Sequence, residues 1–471
     1  MDRISAFRDD ALGELDAVGL VQALRAGDVA PAEVVEAAIA RAESVNSTLN
    51  GLAFEAFDRA RARAVQRHRH GGFFDGVPSF IKDNVAVAGM PTMSGTDAWH
   101  PRPVADNGDF ARSYLSTGLV PLGKTALSEF GFSASAEHPR LGPVRNPWNP
   151  EHTAGASSSG SGAFVAAGVV PIAHANDGGG SIRIPAACNG LVGLKPSRGR
   201  LPLDKDMRQM PLRIVHNGVV TRSVRDTAAF FREMERVTAN PKLPPIGDVT
   251  GPGAKRLRIA VCTKSIEREA SPEVTRLTLD TAELLENLGH RVSVVDNPVP
   301  KRFVDDFLLY WSFLAFALVR GGRRTFGPSF DRDQLDNLTR GLESHAARNL
   351  HRLPAAIARL ARVRRVTSRL HADHDVVLTP TLADVTPPIG HLDPTAPFGQ
   401  VMDRLTEWVA FTPLQNATGE PAISLPLAQS QSGLPVGMMF AARLGEDALL
   451  LELAYELEQA RPWPRIDDTP T

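Results

Sequence analysis

The stretch Asn176-Asp177-Gly178-Gly179-Gly180-Ser181-Ile182-Arg183-Ile184-Pro185 decides how this chain is read. Three glycines before a serine free successive backbone N–H groups to converge on one point, as an oxyanion hole or anion nest requires. A serine that ends such a run is placed to act as a nucleophile. Upstream lies Ala154-Gly155-Ala156-Ser157-Ser158-Ser159-Gly160-Ser161-Gly162-Ala163. Small residues there let the backbone turn tightly and approach a ligand, and the hydroxyls can carry protons or cap a following helix. Further upstream, Gly76-Val77-Pro78-Ser79-Phe80-Ile81-Lys82-Asp83-Asn84 sets a lysine after an apolar strand. Desolvation in such a place lowers a lysine's pKa and makes it a base.

Each stretch alone has an ordinary reading. Gly/Ser runs serve as turns and helix starts, and single lysines form surface ion pairs. Competing motifs fail on particular residues. Gly155 and Gly160 have phosphate-loop spacing, but Ser161 stands where that loop needs lysine. Ser181 sits in Gly179-Gly180-Ser181-Ile182-Arg183, which is not the Gly-x-Ser-x-Gly elbow.

Composition narrows the class. The 471 residues are 43% hydrophobic and 22% charged, near globular averages, with a net charge of −1. That balance shows no electrostatic footprint for nucleic acid or an anionic membrane. Cys188 and Cys262 are the only cysteines and lack metal spacing; Cys188 reads as a small buried hydrophobe. Thirteen histidines include no HExxH pattern, and Arg67-His68-Arg69-His70 reads as a solvated helix end. The charged N-terminus has no signal-peptide core, and no window is apolar for long enough to span a membrane. The expectation is a cytoplasmic protein without metal or cofactor.

Along the chain, residues 1–70 read as helical. Val34, Val35, Ala38, Ile39 and Ala42 stripe a helix that begins at Pro31, and a second run covers Phe54 to Arg69. From about 76 to 240 the texture becomes α/β, with β-like runs at Ser79–Val87, Leu119–Gly123 and Val169–His174. Residues 241–256, rich in Pro and Gly, read as a linker. Strands follow at Leu257–Cys262, Arg291–Val295, Val376–Leu378 and Val436–Ala441. Ser271-Pro272-Glu273 opens a helix that Gly289 stops, Glu446–Gln459 is a last helix, and 300–370 is a helical, Arg-rich region. One domain over 1–471 is favoured, because strands on both sides of 241–256 can join one sheet.

Together the three motifs resemble the amidase signature family. That family typically shows Gly-Val-Pro-x-x-Ile-Lys-Asp, then Gly-Gly-Ser-Ser-Gly-Gly-Ser-Ala, then Thr-Asp-x-Gly-Gly-Ser-Ile-Arg-x-Pro-Ala, and all three occur here in order. Arg145–Pro150, Gly190–Pro196, Leu378–Thr381, Gly419–Ala422 and Gly433–Gly437 are also family-like. The resemblance implies an α/β fold with a large mixed central sheet covered by helices on both faces. It implies hydrolysis of an amide through an acyl-enzyme on Ser181, with Lys82 as general base. Ser157, following a cis peptide bond, would relay the proton. Gly178, Gly179 and Gly180, with the Ser181 amide, would form the oxyanion hole. Ser158, Asp177 and Arg183 would brace the site, and Lys195 reads as structural. The expected partner is a small-molecule amide, with a homodimer allowed and no nucleic acid, membrane or cofactor.

Three positions depart from the family pattern. Ala156 and Ser159 replace glycines, and Gly178 stands where Thr or Ile is usual; Gly178 is expected to loosen the loop or leave room for substrate. His174–Ser181 is similar to a branch that includes cyclic-oligoamide hydrolases. Alternatives are a glutamine-hydrolysing amidotransferase subunit, against which Ile184 replaces that branch's Gln, a silent binding module, and a Ser-His-Asp hydrolase using His152 or His174. The specificity pocket is expected to draw on Trp99, Phe132 and parts of 303–345 and 400–415.

Overall fold

The computed structural model describes residues 3–65 and 71–468. Its centre is an eight-stranded mixed sheet in the order Arg291–Val294, Arg258–Val261, Val376–Pro380, Pro435–Ala442, Ala422–Gln429, Val192–Lys195, His216–Thr221 and Ile172–Asp177. The first three strands are mutually parallel, and every other pairing is antiparallel. Strands from both sides of 241–256 therefore share one sheet.

Alternation along Pro435–Ala442 shows that both sheet faces are covered. A Cβ on Gly437 would meet Ala187 of the helix Arg183–Asn189 at 2.5 Å. The next residue, Met438, accepts a hydrogen bond from Thr278 of the helix Pro272–Asn287 on the opposite face. Met439 returns to the first face, where its sulfur faces the Arg183 guanidinium. This two-residue alternation is the ordinary pleat of a strand buried on both sides. The expected α/β architecture is therefore the one observed.

The N-terminal helices begin where the sequence signals them. Pro31 opens the helix Pro31–Leu49, and its stripe Val34, Val35, Ala38, Ile39 and Ala42 is buried. Ser271 caps the helix Pro272–Asn287 by accepting from the Val274 amide. The Arg-rich region forms helices Arg302–Phe326, Asn337–Asn349, Leu353–Leu360 and Arg364–Asp373. No helix among the described residues is long and apolar enough to cross a membrane.

Two elements differ from expectation. Leu52–Glu55 is a strand paired antiparallel with Val120–Thr125, so the second helical run starts at Phe57 rather than Phe54. The patch Arg67–His70 lies outside the described residues. Ala422–Gln429 is a central strand that carries no simple strand signal, because Pro426 interrupts it. The register shifts between Leu425 and Ala428, which accommodates a residue without an N–H.

The helix after Ser181 lies against the sheet because two strand positions lack side chains. A Cβ on Gly193 would stand 2.6 Å from Ala186 Cβ, and one on Gly437 2.5 Å from Ala187 Cβ. Valine at either position is expected to lift the helix and cost about 1–3 kcal/mol by overpacking, read by urea denaturation. Gly251→Val, at an open position, is expected to change stability by no more than about 0.5 kcal/mol.

Candidate active site

The strand Pro78–Lys82 is buried throughout and ends with Lys82 beneath the serine-rich segment. Lys82 Nζ lies 2.7 Å from Ser157 Oγ, 2.8 Å from Asn176 Oδ1 and 3.4 Å from the Asn176 carbonyl. No carboxylate among the described residues is within ion-pair distance of it. Burial pushes the Lys82 ammonium down to about 7, against the opposing charge of Asp177. Lys124 shows the alternative: equally buried, it is paired with Asp83 at 3.2 Å. A neutral Lys82 has two N–H groups and one lone pair. The two oxygens of Asn176 can take the N–H groups, which leaves the lone pair for Ser157.

Asn84 and Asn176 fix this geometry by exchanging amide hydrogen bonds at 2.8 and 3.2 Å. Both stand inside the quoted motifs, and their polarity beside Lys82 and Asp177 was the available signal. His174 packs below, its Nδ1 accepting from the Lys82 backbone N–H. Burial and the nearby Lys82 push its imidazolium down to about 3. Neither the His174 nor the His152 ring hydrogen-bonds a serine hydroxyl among the described residues; Ser161 Oγ reaches only the His174 backbone carbonyl, so nothing supports a Ser-His-Asp arrangement.

The Ala156–Ser157 peptide bond is cis. Ser158 Oγ donates to the Ser181 carbonyl at 2.6 Å and tethers the serine segment to the glycine loop. Ser181 lines the main cavity and is only slightly exposed. Its hydroxyl makes no hydrogen bond among the described residues, whereas Lys82 and Ser157 are already joined. Such contacts commonly tighten only when substrate is bound.

Asp177 organises the loop. Its carboxylate accepts from the amides of Gly180 at 2.7 Å and Ile182 at 3.2 Å, and from Arg183 Nε and Nη2 at 2.9 Å each. Arg183 also reaches Asn416 Oδ1 at 2.7 Å and Gln415 Oε1 at 3.2 Å. Asn416 returns to the Asp177 carboxylate and carbonyl. Burial alone would raise the Asp177 carboxyl, but Arg183 holds it well below the usual carboxylate range. Thr412 Oγ1 binds the Gly179 carbonyl at 2.6 Å. Thr412, Gln415 and Asn416 are distant in sequence, and only the fold brings them here.

Two expectations for the glycines change. The Gly180 N–H, expected to face an oxyanion, donates instead to Asp177 Oδ1 at 2.7 Å. Gly180 has φ 136°, and a Cβ there would meet Thr412 Oγ1 at 2.4 Å. The room left by Gly178 is filled by Trp311, whose ring would stand 3.3 Å from a Cβ at 178. Trp311 stacks on Phe307 and meets Phe132 edge-on, forming an aromatic wall above the loop.

These residues line one cavity of about 190 Å³, which Gly179, Ser181, Ile184 and Phe132 share with the 302–326 and 398–418 segments. Phe132 and the two helical regions contribute as expected. Trp99 does not line it: the ring is buried and stacked on Phe326 at 4.1 Å, because aromatic neighbours outcompete the cavity for its surface. Cys188 is buried behind Gly155, where a Cβ would stand 2.8 Å from its sulfur, and burial pushes its thiol up to about 12.

The model of the family described as Amidase matches residues 33–451. The chain belongs to the amidase family. It is similar to "Putative amidase AmiC" of Mycobacterium leprae (strain TN), 68% identical over 99% of each chain. It is also 32% identical to the 6-aminohexanoate-cyclic-dimer hydrolase of Paenarthrobacter ureafaciens over 95% of each. The structure of a 6-aminohexanoate cyclic dimer hydrolase complexed with substrate superposes with a TM-score of 0.85 at 29% identity, covering 96% of this chain and 98% of that one. A bacterial aryl acylamidase structure gives 0.85 at 27% identity over 95% and 96%. This amidase family member is therefore an amide-hydrolysing enzyme.

The Asp177–Arg183 pair is fully enclosed. Removing one partner strands a buried charge, and Arg183→Met is expected to destabilise the fold by about 3–5 kcal/mol in urea denaturation.

Proposed function

We propose that this amidase cleaves its substrate through an acyl-enzyme on Ser181, with Lys82 as general base and Ser157 as proton relay. The observation that carries the reading is the contact between a carboxylate-free buried lysine and Ser157 Oγ at 2.7 Å. A serine hydroxyl is a weak nucleophile until a base removes its proton. Lys82, pushed down to about 7 by burial, holds a substantial neutral fraction at neutral pH. Ser157 passes the Ser181 proton to Lys82 as the nucleophile attacks. It then returns that proton to the departing nitrogen, so that ammonia or an amine leaves uncharged. Water resolves the acyl-enzyme by the same route in reverse.

The oxyanion is assigned to the amides of Gly178, Gly179 and Ser181. Asp177 holds the Gly180 and Ile182 amides and so fixes the loop around those donors. One such donor is typically worth about 10²–10³ in kcat. Ser158 and Arg183 are positioning residues, acting through the Ser181 carbonyl and the Asp177 carboxylate. The acyl side of the substrate meets an apolar, aromatic wall, which suits aliphatic or aryl amides. Ile184 is buried and lines the cavity where the amidotransferase branch carries a hydrogen-bonding side chain, which favours a stand-alone amidase over a glutaminase.

Ser181→Ala and Lys82→Ala are each expected to abolish hydrolysis of a panel of aliphatic, aryl and cyclic amides, with an unchanged circular dichroism spectrum. Near-normal turnover in either variant would sink the assignment. In the wild type, kcat/KM is expected to rise with pH as Lys82 loses its proton, with a midpoint near 7 and a plateau above. A flat profile from about pH 5 to 9 would show that Lys82 is not the titrating base.

A further inference from the structure

The cavity that holds Ser181 does not end at the aromatic wall. It extends between the sheet and the helix Arg364–Asp373, to a polar end lined by Thr367, His371 and Glu420. Thr367 and His371 are four residues apart on that helix and share one face. Glu420 follows the short helix Pro413–Thr418, which also carries Gln415 and so ties this end to the Arg183 brace.

These three side chains are almost wholly buried: Thr367 is 4%, His371 2% and Glu420 3% exposed. Glu420 Oε1 accepts from Thr367 Oγ1 at 2.7 Å. Glu420 has no ion-pair partner among the described residues. A carboxylate offers about four acceptor sites, and the hydroxyls of Thr367 and Thr418 fill only part of that capacity, which leaves room for a further donor. His371 Nδ1, by contrast, is without a hydrogen-bond partner. Burial pushes its imidazolium down to about 4, so the ring is neutral at neutral pH. Burial likewise raises the Glu420 carboxyl, against the hydrogen bonds from Thr367 and Thr418 and the nearby positive charge of Lys195 and Arg364. The same cavity wall also carries the apolar side chains of Phe303, Phe307, Trp311 and Leu414. A carboxylate with acceptor capacity to spare and a ring nitrogen without a partner, set in the wall of the cavity that holds Ser181, have the form of an orienting subsite.

We propose that Glu420, Thr367 and His371 form a distal subsite that receives an N–H donor, an amide or an amine, at the far end of an elongated substrate whose middle is apolar. The inference rests on Ser181 as the reacting end. It makes the preferred substrate an amide with a second nitrogen-bearing group, rather than a simple fatty or aryl amide.

The test compares ligands that differ only in that donor. Adipamide ends in a second carboxamide, and 6-oxoheptanamide replaces its NH2 by CH3. Their affinities are measured by calorimetry on the full chain carrying Ser181→Ala, so that neither is consumed. Adipamide is expected to bind at least about tenfold tighter, because a site built around hydrogen bonding rejects an analogue that leaves its polar groups unpaired. The ratio is expected to fall toward one when Glu420→Gln or His371→Leu is added. 6-Aminohexanamide tells whether a charged amine serves as well as an amide, and either result with a preference over 6-oxoheptanamide supports the subsite. Equal affinities in the Ser181→Ala chain, no binding of any of the three, or an unchanged ratio in a folded Glu420→Gln chain would overturn it. Turnover of hexanamide by the wild type is scored separately: its absence counts against the Ser181 chemistry, while the affinity ratio still decides the subsite.

Discussion

The buried carboxylate of Asp177 is the constraint on which the rest of the site depends. It holds three amides of the Gly178–Arg183 turn, the Nε–Nη2 edge of the Arg183 guanidinium and the Asn416 amide. A charge so enclosed persists only when it is fully paired. Every partner is therefore fixed in position relative to it, and through them the loop is fixed to the sheet and to the segment 412–416. The pair is less a source of stability than a template: it costs desolvation and returns a single geometry for the glycine loop. Lys82 is the complementary case. It is buried without a carboxylate, so its ammonium form is disfavoured where that of Lys124, beside Asp83, has a counter-charge.

Much of this was legible in the order of three short motifs, because their chemistry is local. A strand that ends in lysine, a serine-rich turn and a triple-glycine turn each declare their backbone needs in sequence. The Pro31 and Ser271 helix starts were legible for the same reason. Central strands were harder: Ala422–Gln429 contains a proline, and only its neighbours in the sheet make it a strand. Leu52–Glu55 carries no strand signal of its own, because its pairing partner lies some seventy residues on.

The site was legible to the extent that its residues sit inside the motifs. Asn84 and Asn176 were in view but carried no distinguishing pattern, since a buried amide looks like a surface one in sequence. Gly178 and Gly180 show a different failure. An empty side-chain position invites the reading of free space or free donors, yet Trp311 fills the first and Asp177 claims the amide of the second. Trp99 and Phe132 are both aromatic and both near the motifs. One is absorbed by a stack of its own kind, the other faces the cavity. Which surface a ring covers is settled by tertiary neighbours, and no periodicity reports it.

The sheet order has a consequence for how the enzyme comes into being. Strand Val192–Lys195 is hydrogen-bonded to Ala422–Gln429, and the loop after Ile172–Asp177 is braced by Gln415 and Asn416. Pairings across more than two hundred residues form late and slowly. During synthesis the three motif segments leave the ribosome long before the strands and amides that complete their surroundings. Until residues 412–442 have emerged, the Arg183–Asp177 pair lacks its bonds to Gln415 and Asn416, and Val192–Lys195 lacks its neighbour in the sheet. The surroundings of the glycine loop are thus complete only once the hairpin of Ala422–Gln429 and Pro435–Ala442 has joined the sheet.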